Sequence, residues 1–342
     1  MKHVFCIHSS ITYLVMRGVI NYKNINPKDV IVFTRRGYSF YWKEVKSYNL
    51  SSPIMFLPNT KNIAKKIIQY LLFFFKFSLW ILWIKAVTGW SKFELYIPGS
   101  GPLEWNLLSE KFFSKIFYNI EEGSVYYKQD IIHKNPTTVP FKDRILYFGI
   151  LKTYCSFKKE AKTSFVFSNE IIKLIPNPFV LNLKGTILSL NKKDSKKEII
   201  IAIDGGSTFN QVFDLSQHIK VINEVALEIK KKYSEKFDIS FKLHPNQYNS
   251  EIESNTFRNL LKHHFPNITE QPKETILEIY LCNDNKIIYA GDSSLSLYAY
   301  LLNRPINSFL FKFSNICDSL SLEKIKKRYS VNYFEYLKKN QI

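Results

Sequence analysis

Two short polar signatures stand at the ends of apolar runs. Glu121-Glu122-Gly123 follows the run 116–120, and His244-Pro245 follows the run 239–243. Paired carboxylates at one strand end and an imidazole at another form an acid/base inventory that a binding module rarely needs. Adjacent side chains in an extended segment point to opposite sides, so one of Glu121 and Glu122 enters a cleft while the other organises the turn, and Gly123 suits the bend. Pro245 fixes the backbone directly after His244 and halts its strand. With Lys242 and Gln247 close by, this histidine suits an anionic ligand. The plain alternatives are a solvated acidic turn and a strand-end histidine making one hydrogen bond.

Two further places could receive an anion. Ser293 and Ser294 precede a helical run, where they serve as caps or leave backbone N–H groups facing a phosphate. The loop Asp204-Gly205-Gly206-Ser207 follows an apolar run with the same geometry. It is neither a Walker A sequence nor a full dinucleotide fingerprint, so a simple tight turn is an equal alternative.

The elements that must position these residues alternate. The first half reads as strand 4–7, helix 13–22, strand 30–33, strand 93–97, helix 103–117 and the strand ending at Glu121. The second half reads as strand 198–203, helix 221–233, strand 239–243, strand 287–290 and helix 295–302. Such alternation predicts an α/β fold with parallel sheets, which bind ligands beyond the carboxyl ends of their strands. Between about residues 130 and 195 the pattern weakens around Pro136, Pro140, Pro176 and Pro178, and this stretch is the expected linker region. The expected organisation is an N-terminal acceptor-side Rossmann-like domain over 1–190, and a C-terminal nucleotide-donor Rossmann-like domain over 191–342, facing across a cleft.

The chain has 342 residues, enough for two domains. Forty-eight Lys and Arg against 29 Asp and Glu give a formal charge of +19, which favours anionic partners. The lysines are dispersed and no nucleic-acid-binding signature is present, so nucleic acid is not the expected partner. Cys6, Cys155, Cys282 and Cys317 lie far apart and read as reduced structural thiols of a cytosolic protein. The apolar run at the N-terminus is too short for a signal peptide and reads as a first strand. From Ile67 to Val87 the chain is densely apolar and aromatic, interrupted by Gln69, Lys76, Ser78 and Lys85. It reads as a buried or half-buried helix, or as one lying on a membrane surface; the internal lysines weigh against a span.

Acid-acid-Gly, then His-Pro, then Ser-Ser at a strand–helix junction, in this order, resembles the bacterial sialyltransferases of the two-domain GT-B type. That group includes lipooligosaccharide sialyltransferases and capsule polysialyltransferases. Glu121-Glu122-Gly123, His244-Pro245 and Ser293-Ser294 match its three signatures. The resemblance implies inverting transfer of sialic acid from CMP-sialic acid to a sugar hydroxyl of a surface glycan, with no cofactor and no metal. It makes Glu121 the general base supported by Glu122, with Asp204 as the rival base. His244, Pro245, Ser293, Ser294, Gly205, Gly206 and Ser207 then hold the donor. Implied partners are CMP-sialic acid, a glycan acceptor that can be lipid-linked, and an anionic membrane surface, with the chain peripheral at the inner face of the bacterial cytoplasmic membrane. Two other readings stay open: a transferase for another CMP-linked acidic sugar such as Kdo or legionaminic acid, and a non-catalytic polyanion-binding protein.

Overall fold

The computed structural model describes residues 1–35, 38, 40, 42–51, 63–99, 103–123, 127, 137–138, 147–151, 153–154, 161–170, 175–190, 196–204, 214–233, 237–245, 247–315 and 330–342. The chain forms two compact units: Met1–Glu122 with Ile132–Leu181, and Gly123–Ile131 with Asn182–Ile342.

Unit 1 is built on seven parallel strands in the order β3-β2-β1-β4-β5-β8-β9. These are β1 (His3–Ile7), β2 (Val30–Thr34), β3 (Lys46–Asn49), β4 (Phe93–Pro98), β5 (Ser114–Ile120), β8 (Ser164–Val166) and β9 (Pro178–Val180), while β6 (Thr137–Thr138) and β7 (Thr153–Tyr154) form a separate antiparallel pair. Strands β2 and β4 are buried along their whole length, as expected of a parallel sheet covered on both faces. Helix α1 (Ser10–Lys23) starts on a capping box between Ser9 and Thr12 and stops at Asn24 in the left-handed conformation. Helix α2 (Ile63–Thr88) covers the sheet with Phe73, Phe77, Trp80 and Ile84, which join Val4, Phe33, Leu95 and Trp105 in one core cluster.

The helical run expected over 103–117 is two elements. Helix α3 (Leu103–Ser109) ends where Ser109 turns its hydroxyl back to the Asn106 carbonyl and the Ser114 hydroxyl bonds the Ser109 carbonyl, and β5 then begins. The stretch expected as linker also supplies β8 and β9 to the unit 1 sheet.

Unit 2 carries a parallel five-stranded sheet in the order β12-β11-β10-β13-β14. The strands are β10 (Glu198–Ala202), β11 (Asp238–Lys242), β12 (Thr269–Glu270), β13 (Lys286–Ala290) and β14 (Asn307–Ser308). Helices α4 (Leu183–Leu190), α5 (Leu215–Lys232), α6 (Glu251–His264), α7 (Ser294–Leu301) and α8 (Val331–Lys339) complete it. Helix α5 opens earlier than its apolar pattern suggests, because Asp214 and Gln217 form a capping box. In both sheets the first strand lies inside and the order reverses beside it, between β1 and β4 and between β10 and β13. That reversal opens a crevice at the carboxyl ends.

Candidate functional site

In unit 1 the crevice residues come from the loops just after β1, β2 and β5 and from α3. Glu121 is fully buried. Its backbone N–H donates to the Phe165 carbonyl, and its Oε2 accepts from the Phe167 N–H at 2.7 Å. It therefore ties the end of β5 to the strand beside it. Glu122 faces the other way, and its Oε1 lies 2.7 Å from Nε2 of His8, with side-chain exposures of 8% and 4%. Gly123 adopts φ +85°, the left-handed bend that a side chain would resist.

His8 follows β1 directly. Its ring lies 5.2 Å from that of Trp105, and its Nδ1 is buried with no hydrogen-bond partner. Glu104 at the first turn of α3 is fully buried, its carboxylate 3.3 Å from Nη1 of Arg35 at the end of β2. Burial, with the Glu104 charge adding to it, pushes the Cys6 thiol far up, consistent with an unreactive core cysteine. A carboxylate–imidazole pair at 2.7 Å can take a proton from a hydroxyl. The imidazole fixes the carboxylate and shares the charge change.

In unit 2 the crevice gathers Asp204 after β10, His244 after β11 and Gly291 after β13. Asp204 is nearly buried, and its Oδ1 lies 3.4 Å from Nε2 of His218, a fully buried residue of α5. His218 packs edge-on against Phe257 at 4.9 Å. Burial holds its pKa below the ordinary value, against the opposing pull of Asp204 and Glu253. Gln247 organises the turn, accepting from the His244 N–H at 2.8 Å and donating to the Asp204 carbonyl at 3.1 Å and toward Glu253 at 3.4 Å. The half-buried His244 ring is likewise held below its usual pKa, chiefly by burial with Lys242 adding, while Asp204 and Glu253 pull it up. A neutral imidazole donates one N–H, enough to bond a phosphate oxygen without acting as a strong acid.

Ser293 is the N-cap of α7, its hydroxyl accepting from the Ser296 N–H at 3.4 Å. Ser294 donates to Glu278 at 3.3 Å. Burial raises the Glu278 carboxyl and lowers the Lys242 ammonium, each opposed by the charge of the other, and Lys242 donates to the Thr275 carbonyl. Both serines thus hold the helix start in place, directly after the loop that follows β13. Gly205, Gly206 and Ser207 lie outside the described residues. Among the described residues no group of three or more His, Cys, Asp or Glu side chains gathers as a metal centre would require.

His8, Glu104, His218 and Glu278 were not read from the sequence as site residues, and Gln247 was read only as a neighbour of His244. His8 carries a usable signal, since it ends an apolar run just as His244 does. His218 does not, because it sits on the buried face of α5 beside Val221, Ile222 and Val225.

No family model matches the chain, and no curated protein matches it in sequence. Solved structures share its course at low identity. The E. coli heptosyltransferase WaaC with ADP-2-deoxy-2-fluoro heptose is 10% identical with a TM-score of 0.40, covering 90% of this chain and 88% of that one. A putative UDP-N-acetylglucosamine 2-epimerase from Listeria monocytogenes is 11% identical with a TM-score of 0.44, covering 99% and 86%. The spinosyn rhamnosyltransferase SpnG is 11% identical with a TM-score of 0.44, covering 99% and 95%. At these scores the likeness assigns no chemistry to this chain.

Proposed function

We propose that the chain is a glycosyltransferase of GT-B type that moves sialic acid from CMP-sialic acid to a sugar hydroxyl of a bacterial surface glycan, with inversion and without a metal. The observation that carries this reading is the Glu122–His8 pair at the carboxyl end of the unit 1 sheet, held at 2.7 Å with little solvent around it. It stands within the acid-acid-Gly signature whose order with His-Pro and Ser-Ser underlies the resemblance.

We assign the two glutamates different roles, a reading supported by where each carboxylate is engaged. Glu121 is committed to the Phe167 N–H and supports the fold. Glu122 is the base: as the acceptor oxygen bonds to the anomeric carbon of the donor, the hydroxyl proton passes to Glu122, and His8 steadies the carboxylate before and after. The bond from the anomeric carbon to the phosphate oxygen breaks, and CMP leaves with the electron pair. Within unit 2, His244 and the N-terminus of α7 offer N–H donors of the kind that a departing phosphate needs. Asp204 faces His218 and frames this donor side.

Release of CMP from CMP-sialic acid, measured beside CMP-Kdo, tests both the activity and the donor. Faster release from CMP-sialic acid is expected. Preference for CMP-Kdo would transfer the same chemistry to the other acidic sugar, and release from neither would refute the proposal.

A further inference from the structure

Helix α2 has two opposed apolar faces, and among the described residues only one of them is covered. Phe73, Phe77, Trp80 and Ile84 are buried in the unit 1 core. Ile68, Leu71, Leu72, Phe75, Leu79 and Leu82 are exposed, Leu71 and Phe75 at 63% each. At about 100° per residue these two sets centre on opposite sides of the helix, so the exposed set is one continuous stripe. Trp90, just beyond the helix, is 65% exposed. A contiguous stripe of this kind on a soluble surface marks an interaction site.

Charge identifies the occupant. From Ile63 to Lys92 the sequence contains no Asp or Glu but has Lys65, Lys66, Lys76, Lys85 and Lys92. On the helix, Lys65 and Lys76 fall along one border of the stripe and Lys85 along the other. Lys85 is held at the helix end by the Phe112 carbonyl at 3.0 Å, its ammonium 4.8 Å from the half-exposed Phe112 ring. An apolar face bordered by lysines and aromatics matches the boundary between acyl chains and anionic headgroups. A second copy laid face to face would bring like-charged borders together. A span would pull the buried face out of the core.

We propose that unit 1 docks on an anionic lipid bilayer through this face of α2, the helix lying parallel to the bilayer plane with Leu71, Phe75, Leu79 and Leu82 among the upper acyl chains. The inference stands on α2 and does not rest on the proposed activity.

The test is flotation of the full-length chain with vesicles of phosphatidylcholine and phosphatidylglycerol, beside phosphatidylcholine alone. Binding is expected to the mixed vesicles and to weaken steeply at about 0.5 M salt. Leu71→Ser with Phe75→Ser should lower affinity about a hundredfold, and Lys65→Gln and Lys76→Gln about fivefold each. All four side chains are exposed, so the variants should keep the wild-type circular dichroism spectrum. Quenching of fluorescence by brominated acyl chains, lost in Trp90→Phe, supports the proposed orientation. Absence of binding to the mixed vesicles, or unchanged binding by the folded double serine variant, overturns the proposal. So does a dimer that the serine variant dissociates while the vesicles stay bare, since a second copy then covers the face.

Discussion

Gly291 sits where a side chain cannot. Its backbone is not left-handed, so alanine carries no conformational penalty there and any cost is steric. A methyl at this position would overlap Asp204 Oδ2 outright, and would lie 3.0 Å from Asp204 Cγ and 2.9 Å from Cε2 of the buried Phe309. Carbon contacts are normally about 3.5–4.0 Å, so both neighbours must move. Phe309 has no exposed side to yield to, and Asp204 can yield only by leaving His218. Overpacking of this kind costs about 1–3 kcal/mol, and disturbing a buried carboxylate adds to it, so Gly291→Ala should destabilise unit 2 by about 2–4 kcal/mol. Urea unfolding followed by far-ultraviolet circular dichroism measures this. The five tryptophans, at positions 42, 80, 83, 90 and 105, all lie in unit 1, so their fluorescence reports the other unit separately. Asp204→Ala removes the clashing atoms, and the double variant should therefore lose about 1–3 kcal/mol less than the sum of the single losses. A loss below about 0.5 kcal/mol for Gly291→Ala, or strict additivity in the cycle, would refute the packing described for the crevice.

Other consequences are equally open to measurement. Glu121→Ala removes the carboxylate that accepts from the buried Phe167 N–H and should cost about 1–3 kcal/mol in urea unfolding, whereas Glu122→Gln should keep stability and lose turnover. The reverse pattern would restore Glu121 as base. His218 and His244 have folded pKa values depressed below 6.5. The unfolded chain therefore takes up protons first as pH falls, so stability should be full above pH 6.5 and decline on acidification below it, and His218→Gln should flatten that slope. A slope unchanged in His218→Gln would count against a neutral buried imidazole. Ser293→Ala removes the α7 cap and should cost about 0.5–2 kcal/mol, together with weaker protection by CMP in thermal unfolding; unaltered CMP protection would separate the helix N-terminus from the donor.

The strands ending at His8, Asp204 and Gly291 were legible because each is a short apolar run closed by polar or glycine residues, the pattern of a strand buried on both faces. The three-residue strands β8 and β9 were not, since neither run is long enough to show a period and each is a strand only because a neighbour pairs with it. The apolar run through Leu107, Leu108, Phe112 and Phe113 suggested one long helix, and the break came from serine hydroxyls competing for the backbone carbonyls. Alternation said that Glu121 and Glu122 face opposite ways. Which of them turns inward depends on the Phe167 N–H, 46 positions away in sequence. For the same reason the partner His218 was invisible, being placed by tertiary packing rather than by spacing, whereas His8 stands at the end of an apolar run where it could have been found. The segment 67–87 read either as a buried helix or as one lying on a membrane surface, and it presents one buried and one exposed apolar face.

The most direct test is mass analysis of the products formed from CMP-sialic acid and a panel of labelled galactosides and sialosides, with the wild-type chain and with Glu122→Gln at saturating donor. An acceptor that gains one sialyl residue with the wild-type chain, and a rate at least about a hundredfold lower with Glu122→Gln, is the expected result. Wild-type rates in Glu122→Gln, or CMP-sialic acid left intact beside every acceptor, would contradict a sialyl transfer driven by the Glu122–His8 pair.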